Sequence, residues 1–124
     1  SDVYKRQAQE GIACSFRYGI DIMRGLGLSP DVIRAGEANL FLSPLFRQTL
    51  ATLTGARIEL FNTDGALGAA RGAALGAGYY HSREEAFASL RRLETVEPVA
   101  KEREALEEAY GKWVREVEMR LERA

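Results

Sequence analysis

The chain has 124 residues, 17 Lys or Arg against 18 Asp or Glu, and a net charge of -1, which removes the electrostatic case for binding nucleic acid or an anionic membrane. Its single Cys and single His (Cys14 and His81) exclude an internal disulfide and a zinc cluster. With 46% apolar and 28% charged residues, the composition is that of one soluble domain, or part of one, in a reducing cytoplasmic setting.

Ser1 to Gln7 is polar, with no apolar core of a signal peptide and no hydrophobic period. It resembles a leader carried by unrelated sequences. Residues 1–8 are therefore set apart as a non-native leader, and 9–124 read as a truncated carboxy-terminal piece of a domain. From Gln9 to Leu26, Ile12, Phe16, Ile20 and Met23 mark one stripe of a helix that Gly25 and Gly27 stop. Ser29-Pro30-Asp31 is turn chemistry, and Val32 to Ala35, ending at Gly36, reads as a buried strand. Ser43 caps the next helix with Pro44 at its first position. Phe46, Leu50 and Leu53 form its buried stripe, and Gly55 ends it.

Arg57 to Phe61 alternates as a second strand. Asn62-Thr63-Asp64-Gly65 then starts a small-residue helix to about Tyr80, with Asp64 as its N-cap. Ser82 to Glu85 fits a capping box opening a short helix to Leu90, with His81 a surface or capping residue beside it. Arg91 to Val99 reads as a connector broken by Pro98. The last helix, about Lys101 to Arg123, carries Leu106, Tyr110, Trp113, Val117 and Leu121 on one face. Two strands joined by a helix imply a parallel βαβ unit with a right-handed crossover. A parallel pair alone is a poor sheet, so further strands are expected upstream.

Two segments stand out chemically. Ala35-Gly36-Glu37-Ala38-Asn39 follows the carboxyl end of the first strand, where ligands of α/β sheets sit. Its small residues let a flat ring or a phosphate approach the main chain, and Asn39 offers an amide to a base edge or a ribose hydroxyl. A plain strand-to-helix loop with a turn glycine is the simpler account of the same residues. Gly68, Gly72 and Gly76 are spaced four apart on a helix, at a cost of about 1 kcal/mol each relative to Ala, which implies that another element packs very close. Cys14 reads as a small packing residue. No catalytic constellation or metal-ligand cluster is complete.

Taken in order, EGIACSFRYGIDIMRGLGL, VIRAGEANLFLSPLFRQTLATLTG and IELFNTDGALGAARGAALGAG resemble the carboxy-terminal domain of the FGGY carbohydrate kinases, and among them the xylulokinases. SPLFRQ at Ser43 to Gln48 and GALGAARGAALGAG at Gly65 to Gly78 are the most specific parts. The resemblance implies part of an actin-like, ribonuclease H-like ATPase domain: two parallel strands with flanking helices and a helical carboxyl end. It implies ATP and Mg²⁺ as cofactors and phosphorylation of D-xylulose to D-xylulose 5-phosphate by the intact enzyme. The ATP-binding loop is then Gly36, Glu37, Ala38 and Asn39 beside Ala35. Glu37 stands where many relatives have Gly, and Leu40-Phe41-Leu42 lengthens the path to Ser43.

The catalytic Asp and the sugar-binding, phosphate-binding amino-terminal domain belong to the part before this chain. No catalytic residue or metal ligand is assigned, and the chain alone is expected to be inactive. A homodimer is compatible with the resemblance. Two other readings stay open: an FGGY kinase of another ketose or polyol, and a non-enzymatic helical module using the Tyr110, Trp113, Val117 face.

Overall fold

The structure, a computed structural model, describes residues 2–123. Its elements are α1 (Asp2–Gly25), β1 (Val32–Gly36), a 3-10 turn (Asn39–Leu42), α2 (Pro44–Thr54), β2 (Arg57–Phe61), α3 (Gly65–Gly76), α4 (Arg83–Ala86), β3 (Arg92–Val96), a second 3-10 turn (Ala100–Glu102) and α5 (Arg103–Arg123). Strands β1 and β2 pair in parallel, from Val32 opposite Arg57 to Gly36 opposite Phe61, as the βαβ reading requires. The expected connector is in fact a third strand: β3 runs antiparallel to β2 with a bulge at Leu60/Phe61, so the sheet order is β1-β2-β3.

Ser43 caps α2 by accepting the Phe46 N–H, Pro44 begins it, and Gly55 ends it. Its Phe46, Leu50 and Leu53 are buried with Ile58 and Leu60 of β2, and Ala13, Cys14 and Tyr110 close the core from α1 and α5. Strand β1 is only half-buried, not the buried strand expected. Cys14 is a packing residue whose thiol is pushed up to about 11, chiefly by burial.

Three helices depart from expectation. Helix α1 begins at Asp2 rather than Gln9, because VYKRQAQ contains neither Gly nor Pro to interrupt it. It also buries a different face: Ala13, Cys14 and Ile20 go inward, while Ile12, Phe16 and Met23 remain at least 37% exposed. Small side chains at positions 13 and 14 let α1 lie close against α2. Helix α3 ends at Gly76, not Tyr80. Gly78 adopts φ 84 there, and the N–H groups of Tyr79 and Gly78 close on the carbonyls of Ala74 and Leu75. Helix α4 is a single turn because the Arg91 N–H is drawn to Asn62 Oδ1 (2.6 Å), turning the chain into β3.

Helices α1, α2 and α5 meet at Arg17. Its guanidinium donates to both oxygens of Asp21 (3.0 Å), to the Leu53 carbonyl (2.6 Å) and to Glu107 (2.6 Å), and lies 4.4 Å from the centre of the Tyr110 ring. Burial opposes that charge, but hydrogen bonds to Glu107 and Asp21 outweigh it and raise the pKa of Arg17. Tyr110 donates to Asp21 (3.1 Å), and its own pKa is pushed up to about 12, mainly by burial. Arg24 donates to the Thr54 carbonyl. The last carbonyls of α2, which no helical N–H can reach, thus find donors on α1. The aromatic face of α5 docks here too, with Trp113 edge-on to Tyr18 at 5.8 Å. Core docking, not partner recognition, accounts for Tyr110 and Trp113. Leu121, placed on the same face by spacing, is 63% exposed.

The small-residue helix gives the sharpest surprise. No residue of α3 is buried, and a Cβ added at Gly68, Gly72 or Gly76 would meet nothing within 4 Å. Among the described residues the close neighbour expected for the glycine stripe is absent. Gly72→Ala is therefore expected to stabilise the isolated chain by about 0.5–1 kcal/mol, through helix propensity alone. A urea unfolding curve checks this, and a lower midpoint for the variant would show that something does pack on that face.

On the sheet face away from the core, Glu59 is held by Arg34 (3.0 Å), Arg92 (3.2 Å) and Arg57 (3.5 Å). The arginine stems shield it at the outer surface rather than the body of the protein. The Arg34 hydrogen bond, ahead of the one from Arg92, keeps its carboxyl below the ordinary 4.5. A depressed folded-state pKa stabilises the fold above the unfolded value and loses that contribution as pH falls through the depressed one. Wild type and Glu59→Gln are therefore expected to differ in thermal midpoint at neutral pH and to converge in acid. Parallel curves across that range would refute the coupling.

Candidate functional site

The loop after β1 is built by two neighbours. From the sheet side, the segment after β2 presses on Gly36: a Cβ there would stand 2.3 Å from the Thr63 carbonyl oxygen and 2.9 Å from its carbon. Only glycine lets the two strand ends come so close. The Phe61 carbonyl accepts both the Glu37 N–H (3.0 Å) and the Thr63 N–H (2.8 Å), locking the two loops together. Asn39 then takes φ 55, a left-handed conformation that Asn tolerates better than most residues, and this starts the 3-10 turn. Leu40-Phe41-Leu42 is that turn, so the extra length forms one compact coil.

From the helix side, Arg47 holds the loop. It is the only charged residue of α2 and is 7% exposed. Its Nε donates to the Phe41 carbonyl, its Nη2 to that of Leu42 (3.4 Å), and its Nη1 to Glu94 of β3 (2.6 Å). Its Nη2 also stands 3.5 Å from Glu37. The carboxylate that sequence placed beside a nucleotide is thus turned toward a buried arginine. Sequence reasoning missed this anchor. The available signal was a lone charge next to Phe46 on an otherwise uncharged helix.

Gly36, Ala38 and Asn39 come together with Ala35, Leu40, Phe41, Asp64 and Gly65 around a cavity of about 240 Å³; Glu37 is not among its walls. Asp64 accepts the Leu67 N–H (2.8 Å) as the N-cap of α3, the role expected of it. The cavity is therefore walled by small residues together with Leu40 and Phe41, and at one end it meets the start of α3, which the Asp64 carboxylate already caps. Its volume falls below the roughly 300–1,000 Å³ of a complete small-molecule site. Among the described residues no three or more His, Cys, Asp and Glu side chains gather as a metal cluster. His81 is exposed; Ser82 accepts the Glu85 N–H (3.1 Å) as the N-cap of a capping box does, but the Glu85 carboxylate accepts the main-chain N–H of His81 (3.0 Å), one residue before the N-cap.

No protein-family model and no curated protein matches the sequence. Among solved structures, the chain is similar to the xylulose kinase from Rhodospirillum rubrum, with a TM-score of 0.66 and 22% sequence identity over 86% of this chain. The match spans 22% of that kinase's chain. At this identity the likeness shows the fold: the chain is built like one part of a larger sugar kinase. Among the described residues no helix is long and apolar enough to cross a membrane.

Proposed function

We propose that this chain is the nucleotide-facing, carboxy-terminal part of an ATP-dependent FGGY kinase that phosphorylates D-xylulose to D-xylulose 5-phosphate when joined to its amino-terminal domain. The observation that carries the reading is the open cavity over Gly36 and Ala38, one wall of a site at the carboxyl end of a parallel strand. The shared fold with a xylulose kinase supports it. In this reading the adenosine rests on Gly36, Ala38 and Asn39, and Asn39 offers its side-chain amide. Glu37 contributes main chain to the loop and holds it in place through Arg47. The chain binds and orients the nucleoside. Phosphate, sugar and Mg²⁺ contacts, and the base that takes the sugar proton, come from the other part.

The uncovered surfaces agree with such a partner. The Gly stripe of α3 is open among the described residues, and Ile12, Phe16 and Met23 of α1 stay 37–44% exposed although Phe16 meets the edge of Phe46.

The test is a titration of isotope-labelled chain with adenosine and with ATP, followed by amide NMR. Adenosine shifts confined to residues 35–41 and 64–65, with the same residues responding to ATP, are the expected result. Adenosine shifts elsewhere, or none, would remove the nucleotide assignment. The chain incubated alone with ATP and D-xylulose is expected to form no sugar phosphate.

A further inference from the structure

Helices cover one face of the sheet, and the other carries more positive charge than it can neutralise. Arg34, Arg57 and Arg92 share the one carboxylate of Glu59. Two charges are left over within a few ångströms, and the strand pairing that sets Arg34 opposite Glu59 keeps them there. Arg34 gives only its Nε to Glu59. Its terminal N–H groups make no hydrogen bond among the described residues, and 71% of its side chain is exposed.

Arg34 also lines a crevice of about 190 Å³ with Ala35, Gly36, Phe61, Thr63 and Leu90. Behind the Thr63 wall stands a second guanidinium: Arg71 donates to Thr63 Oγ1 (3.0 Å) and to Ser89 Oγ (3.1 Å). The nearest carboxylate in sequence, Asp64, is engaged with the Leu67 N–H. The crevice thus has an unspent guanidinium fork, a Thr63 hydroxyl that accepts from Arg71 and donates to the Asp64 carbonyl (3.4 Å), and an apolar side made by Phe61 and Leu90.

The geometry points to an oxyanion site in this crevice, with a phosphoryl group, free or esterified to a small molecule, as its ligand. The fork of Arg34 matches two oxygens of one tetrahedral anion, and Arg71 adds positive charge from behind Thr63. A phosphate carries about 1.5–2 negative charges at neutral pH, which suits a surplus of two positive charges better than a carboxylate does. Phe61 and Leu90 would face the carbon part of an ester. This site shares only Ala35 and Gly36 with the loop cavity and does not rest on the nucleotide reading.

The experiment is an amide NMR titration with inorganic phosphate and, separately, ribose 5-phosphate, against sodium chloride of equal ionic strength. Saturable shifts at Gly36, Phe61 and Thr63 are expected. Arg34→Gln is expected to weaken binding about tenfold, the equivalent of one charge-assisted hydrogen bond. Arg34→Lys should fall between, and Arg120→Gln on α5 should change nothing. Arg34 is exposed, and Arg57 and Arg92 still pair Glu59, so the variants keep the fold; unchanged shifts away from the crevice verify it. Tighter binding of the ester assigns the site to phosphate esters, and equal binding assigns it to the free anion; both support it. Phosphate binding by Arg34→Gln at wild-type strength, or shifts reproduced by chloride, would overturn the site.

Discussion

Arg17→Met is expected to destabilise the chain by about 3 kcal/mol and to loosen α5 before the rest of the fold. The methionine keeps the apolar stem but removes every donor. Asp21 and Glu107 lose their shared cation, the Leu53 carbonyl at the end of α2 loses its donor, and the Tyr110 ring loses the charge against its face. The two carboxylates are 36–37% exposed and regain water, so the loss stays at the lower end of that seen for buried pairs. Arg17→Lys should recover only part, because a point charge cannot serve Asp21, Glu107 and Leu53 together. Urea unfolding gives the midpoint, and limited proteolysis shows whether cleavage now falls first in residues 103–123. Wild-type stability in Arg17→Met would mean that apolar packing alone docks α5.

The same residue shows why α1 was only half legible. Its apolar period correctly marks a helix, yet of that stripe only Ile20 is buried, beside Ala13, Cys14 and Arg17, a small, small, charged set that no hydrophobic stripe reveals. Apolar spacing finds the face able to be buried, and the Phe16 face is covered only in part, by the edge of Phe46. Strand β3 was hidden for a related reason. Of Arg92 to Val96 only Val96 packs against the core, while Glu94 goes to Arg47, so a period of two rests on one residue. Charges on an edge strand discourage edge-to-edge pairing and also disguise it as a connector. Caps, by contrast, were plain, because Ser43, Asp64 and Ser82 act within three residues of themselves. The loop after β1 was visible as a place but not as a structure. Its shape depends on Thr63 and Arg47, and that contact is made only when the chain folds.

Gly36→Ala tests that contact, and its effect on binding is expected to exceed its effect on stability. The new methyl would meet the Thr63 carbonyl at 2.3 Å, a main-chain atom that cannot rotate aside. Either the segment from Asn62 to Asp64 shifts or β1 slides at its end, at a cost of about 1–3 kcal/mol. Both movements break the paired bonds from Glu37 and Thr63 to the Phe61 carbonyl, and both displace Asp64 and Gly65 from the cavity wall. Adenosine shifts at residues 38–41 should disappear while the Arg17 cluster, at the carboxyl end of α2, keeps its resonances. Gly72→Ala serves as the control, since the same atom added there meets open space. If Gly36→Ala matches wild type in both midpoint and adenosine response, neither the close approach nor the loop cavity matters to this chain, and the nucleotide wall must be sought elsewhere.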